Sequence, residues 1–136
     1  MTFYIDDTDN GIGPGSPNHP VLMMDLNNNY PNNDDVPLVD NVEDLQFQYC
    51  IDDTTNTQNC SDRTVWTNTV LGTQVQHLWM VRILMVIRSP KENYEEFEWT
   101  GNVRPALGNN TASTTVDGYY RDIVVTEVAV RNMRLF

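Results

Sequence analysis

Two cysteines are the first residues of this 136-residue chain to test for chemistry, Cys50 and Cys60, separated by the polar stretch IDDTTNTQN. The two histidines, His19 and His77, lie far from them, and no second cysteine pair exists, so the spacing is not that of a structural zinc site. Cys50 ends an alternating run and Cys60 lies across a hairpin-length excursion, which makes a Cys50–Cys60 disulfide sterically reasonable; two separate thiols are the alternative. Such a bridge contributes about 2.5–3 kcal/mol in the chain-entropy model. It also places the domain outside the reducing cytosol.

Calcium is the next chemistry to weigh. Asp6, Thr8, Asn10 and Gly11 occupy positions one, three, five and six of an EF-hand loop, but position twelve, where a bidentate Glu closes the shell, holds Pro17. What remains is an irregular cation site using Asp6, Asp7 and Asp9, or three solvated turn carboxylates. No other cofactor is expected. The GIGPG run at 11–15 lacks the Lys-Ser/Thr ending of a phosphate loop. Ser16, Ser61, Ser89 and Ser113 are outside any nucleophile-elbow pattern. Glu95, Glu96 and Glu98 alternate with Tyr94, Phe97 and Trp99 in a way that resembles a carboxylate pair on an aromatic platform. The charges fit better as guards on an edge strand. No catalytic set assembles, and the expectation is a protein that is not an enzyme.

Charge narrows the partners. Eight basic side chains oppose 19 acidic ones, for a formal net charge of −11. Up to Asp62 there are 12 carboxylates and no Lys or Arg, so the chain divides into a part at −12 and a part, from Arg63 onward, at +1. Such a surface repels phosphate, which argues against nucleic acid and anionic lipid as partners. The most apolar stretch, LWMVRILMVI at 78–87, is ten residues long and interrupted by Arg82. It is too short to span a bilayer, which takes about 20 apolar residues. Met1 is followed by polar and acidic residues, unlike a secretory signal.

The elements that must position these groups read as strands. Leu45, Phe47, Tyr49 and Ile51 alternate with Asp44, Gln46, Gln48 and Cys50, a period of two. Residues 75–89 are apolar on both parities, as in a strand at the centre of a sheet. Asp117-Gly118 marks a turn before a β-branched run. Short strands are expected at 2–5, 21–26 and 36–39, with long surface loops at 6–20 and 27–35. One short helix fits around 66–75, and 94–99 reads as a short strand or arm. The fold class is mainly β, a single antiparallel-sheet domain over 1–136. Its main strands are 41–52, 77–89 and 123–132, and Leu45, Phe47, Tyr49, Val81, Ile83, Met85, Val124 and Val128 form the expected core. Arg82 and Arg88 point away from that face, toward carboxylates of the acidic half.

These strands resemble the carboxy-terminal part of a PilW-type minor pilin of the type IV pilus. The family pattern reads NVE-LQFQY, a polar insert, V-VR-LLVRS, and YRR-VF---V-LRN. Here it corresponds to Asn41–Tyr49, Val81–Ser89, Tyr120–Arg121 and Val130–Asn132, with Val21–Asp25 as a preceding strand. Where the family has paired arginines, this chain has Tyr120-Arg121. Members carry an amino-terminal leader and a long apolar helix that this sequence does not contain, so the chain is expected to be an ectodomain or its carboxy-terminal part.

The resemblance implies a structural subunit that primes pilus assembly or sits in the tip complex. Its partners would be other minor pilins and the major pilin. Before assembly it would be held in the inner membrane by its helix, with the β-domain in the periplasm, and afterwards it would stand on the cell-surface pilus. A type II secretion pseudopilin or an adhesin-like, glycan-binding surface module are the alternatives. A sheet edge left without its upstream neighbour could also pair two copies into a homodimer.

Overall fold

A computed structural model describes residues 1–53, 58–59, 66–92 and 102–130. Among them the fold is mainly β, in two antiparallel sheets. The first joins β1 (Thr2–Asp6), β2 (Val21–Asp25) and β3 (Val36–Asp40) in that order. The second runs β5-β4-β6-β7, with β4 at Val42–Asp53, β5 at Gln58–Asn59, β6 at Leu78–Arg88 and β7 at Arg121–Ala129. One residue, Asn41, separates β3 from β4, and it takes a φ of 60°. Asn is one of the few side chains that tolerates this left-handed conformation. Its carbonyl accepts the Arg88 N–H at 3.0 Å, tying the corner to the end of β6.

β6 lies between β4 and β7, as its doubly apolar pattern predicts. The expected helix at 66–75 is a single 3-10 element, η1, displaced to Gly72–His77. The arm expected at 94–99 and Cys60 lie outside the described residues. No helix among the described residues is long and apolar enough to cross a membrane.

The core differs from the expected one in which face is covered. Leu45, Met85 and Val124 are register partners, as are Tyr49, Val81 and Val128, so these residues do share one face with Phe47 and Ile83. That face is only half-buried, and Val128 is 47% exposed. Full burial falls instead on Val42, Cys50, Met80 and Val86 of the second sheet and on Val21, Leu22 and Met23 of the first. Trp66 and Trp79 pack against Cys50 and Met80. Alternation shows that a strand has two faces; which one is roofed depends on the distant segment 102–120. That segment sets Leu107 into the interior and lays Gly108 against Gln46, where an added Cβ would sit 3.3 Å from the glutamine side chain.

Met23, completely enclosed in β2, anchors the smaller sheet. Met23→Ala should lower stability by about 2–5 kcal/mol in urea unfolding. Leu26→Ala, at a position 61% exposed, should change it by less than about 0.5 kcal/mol.

Candidate functional site

The start of β4 carries two consecutive carboxylates, Glu43 and Asp44. The β4–β6 register shifts between Val42 and Asp44, leaving Glu43 as an extra residue in β4. A bulge of this kind re-aims side chains, and here the two carboxylates meet different arginines. Glu43 Oε1 accepts from Arg88 Nη1 at 3.1 Å and from Arg121 Nη2 at 2.9 Å, and its Oε2 accepts from Arg121 Nε at 2.6 Å. Arg121 then makes a second two-pronged contact, Nη1 and Nη2 donating to the two oxygens of Asp117 at 2.7 and 2.6 Å.

These charges lie inside the protein: the side chains of Arg121, Arg88 and Glu43 are 4%, 6% and 11% exposed. Arg88 and Arg121 are direct partners in the β6–β7 ladder. Two cations opposed across a ladder repel, and Glu43 between them, with Asp117 beside Arg121, brings the cluster to zero net charge. Tyr119, buried, lies 3.9 Å from the Arg88 guanidinium, in cation–π contact. Arg88 Nη2 also donates to the carbonyl of Pro17 at 3.0 Å, so the cluster holds the first long loop as well. The hydrogen bonds from Arg121 hold the Asp117 carboxyl below the usual value of 3.8, against a desolvation effect that would raise it. Arg121 is correspondingly held in its charged form, first by Asp117.

Asp44 organises the neighbouring segment. It accepts from Arg104 Nη1 at 2.7 Å and from Asn110 Nδ2 at 2.8 Å, while Arg104 Nη2 donates to the Thr111 carbonyl at 2.9 Å. Asp7, Thr8, Pro17, Pro20, Glu43, Arg88 and Arg104 line an open cleft of about 450 Å³ between this cluster and the first loop. Its arginines are already bonded to Glu43 and Asp44, so the cleft presents compensated charge rather than a free cation.

The residues singled out in the sequence are placed as follows. Asp6 is buried and accepts from the Gly15 N–H at 2.9 Å, bracing the loop, while Asp7 and Asp9 are exposed. This brace explains the glycines of GIGPG, since a Cβ at Gly13 or Gly15 would overlap Asp6. Ser89 Oγ donates to the Lys91 carbonyl and accepts from Tyr120 N–H, and Ser113 Oγ accepts from Thr115 N–H; both serve as local caps. Glu95, Glu96, Glu98 and Ser61 lie outside the described residues, as does Cys60, whereas Cys50 is completely buried. Among the described residues no group of three or more His, Cys, Asp and Glu side chains is arranged to hold a metal ion.

One expected pairing needs correction. Arg88 does reach a carboxylate of the acidic half, Glu43, but Arg82 does not. Its Nε and Nη2 donate to Glu127 Oε1 at 3.1 and 2.8 Å, within the near-neutral half, and its guanidinium stacks 3.8 Å from the Trp66 ring. Arg82 and Glu127 are cross-strand partners of adjacent β6 and β7, so the nearest opposite charge wins. The Glu43–Arg121 contact, spanning 78 residues, and the Tyr4 hydroxyl bond to Asp35 Oδ2 at 2.6 Å carried no local sequence signal.

Comparison with known proteins gives one finding. Residues 2–132 match the family model described as type IV pilus-assembly protein W. No curated protein and no solved structure matches significantly.

Arg121→Met, which leaves Glu43 and Asp117 without their shared partner, should cost about 3–5 kcal/mol in urea unfolding. Arg82→Met, removing a partly exposed pair, should cost less than about 1 kcal/mol. Asp117 adds a pH dependence. Its folded value is depressed, so its stabilisation is complete above the ordinary value of 3.8 and is lost as pH falls below it. Unfolding midpoints measured between neutral and strongly acidic pH should therefore fall less steeply at the acid end in Asp117→Asn than in the parent.

Proposed function

Because the chain belongs to the type IV pilus-assembly protein W family, we propose that it is a structural subunit of the type IV pilus, a minor pilin acting in priming or in the tip complex, with no reaction of its own. The family match over residues 2–132 carries this reading. The geometry supports it in two ways. Conserving shape under load or during docking favours a domain whose strands are locked at one end, and the Glu43–Arg88–Arg121–Asp117 cluster does this. The three-strand face of Leu45, Phe47, Tyr49, Val81, Ile83, Met85, Val124 and Val128 is apolar and half-open, as a surface that packs against another subunit should be.

On this reading the partners are other minor pilins and the major pilin, and the work is non-covalent packing. The domain resides outside the cytoplasm, first at the inner membrane and then in the pilus, where a Cys50–Cys60 bridge is chemically stable.

Deleting the gene should abolish or sharply reduce surface pili counted by electron microscopy, and the intact gene should restore them. Val128→Asp should restore fewer, while changing the stability of the purified domain by less than about 1 kcal/mol. Normal piliation in the deletion would end this reading. Normal pili with a loss of protein secretion would move the chain to the pseudopilins instead.

A further inference from the structure

A second acidic locus, distant in sequence from Asp6, Asp7 and Asp9, lies where β2 and β3 leave their ladder. Met24 pairs with Val36 there, so the next residues outward, Asp25 and Asp35, are opposed at the end of the two strands. Asp25 is completely buried. Its Oδ1 accepts the N–H groups of Asn27 and Asn28 at 2.8 and 2.9 Å, but its Oδ2 is buried with no hydrogen-bond partner. Asp35 repeats the pattern: Oδ2 accepts from the Tyr4 hydroxyl at 2.6 Å and from Asn32 N–H at 2.9 Å, and Oδ1 is buried without a partner.

A buried carboxylate oxygen without a donor is costly, and like charges opposed across a ladder repel. Among the described residues no Lys or Arg is bonded to either group; the donors they do have are three backbone N–H groups and one phenol. We propose that Asp25 Oδ2 and Asp35 Oδ1 form the core of a calcium site at the end of the first sheet, closed by the asparagine-rich loop 27–33.

The chemistry selects the ion. The donors are hard oxygens, with neither imidazole nor thiolate among them, which suits calcium or magnesium over transition metals. Two carboxylates with the remaining shell from loop amide oxygens, carbonyls and water give a low-charge, irregular site, which calcium accepts and magnesium, with its strict octahedron, does not. This charge count belongs to the weak end of the calcium scale, a dissociation constant on the order of 10⁻⁴–10⁻³ M. Asp25 and Asp35 are each joined to backbone N–H groups of the loop, so an ion between them would fix loop and sheet edge together.

Tyr4 and Tyr30, stacked with ring centroids 5.0 Å apart, supply the readout, because Tyr4 bonds directly to Asp35. Terbium added to the full chain should give luminescence on tyrosine excitation, calcium should displace it at millimolar concentration, and magnesium should not. Asp35→Asn and Asp25→Asn should each weaken terbium binding at least about tenfold, the loss of one of two charged ligands. A second pair of variants, Asp7→Asn and Asp9→Asn, should leave it unchanged. Circular dichroism of each variant without metal checks that it folds; if Asp25→Asn does not, Asp35→Asn decides alone. Absence of tyrosine-sensitised terbium emission, equal emission in Asp35→Asn, or loss confined to the Asp7 and Asp9 variants would each overturn the proposal. None of these outcomes bears on piliation, so the site stands or falls separately from the pilus role.

Discussion

The carboxylate of Glu43 is the constraint on which the larger sheet depends. It neutralises two arginines that the β6–β7 ladder places side by side, and without it their mutual repulsion would oppose the register. Burying four charges costs desolvation that only near-complete hydrogen bonding offsets. Arg121 meets that condition with two-pronged contacts on both sides. The consequence is specificity of arrangement more than gross stability: a one-residue slip of β7 would carry Arg121 to the opposite face and strand Glu43 with a single partner.

The rest of the domain is built outward from this point. The bulge that frees Glu43 also turns Asp44 toward Arg104 and Asn110, so two adjacent residues hold two separate stretches of irregular chain. Arg88 extends the same cluster to the Pro17 carbonyl, and Asp6 holds the loop from within. Long loops without secondary structure are ordinarily weakly placed. Here each is fastened by a charged side chain at a defined atom, and backbone groups that regular structure would have paired are bonded to side chains instead.

Strands were legible in the sequence wherever the pattern was local. The alternation from Leu45 to Ile51 and the doubly apolar run of β6 gave element type and centrality, because period and composition depend only on neighbours along the chain. The covered face was not legible, because the roof over Gln46 comes from Gly108, about 60 positions further on. The same limit divides the candidate site. Asp6 was noticed for its charge, yet its role as a loop brace depends on Gly15 folding back on it. Arg82 found Glu127 because the ladder, unseen in one dimension, put them opposite each other. Asp25 reads as part of a strand and Asp35 as the end of an asparagine-rich loop, and only the register of β2 with β3 brings them together.

The uneven distribution of charge bears on the order of events as the chain emerges. The first 62 residues contain no Lys or Arg, so Glu43 and Asp44 wait for partners 45 to 78 residues later. Until Arg88 and then Arg121 are available, the carboxylates of the acidic part repel one another and Glu43 lacks its partners. Such distant closures come late in folding because chain entropy must be lost before they form. A polypeptide with this layout can pair its first sheet, residues 2–40, from local contacts, whereas the larger sheet is locked at its charged end only once β7 is present.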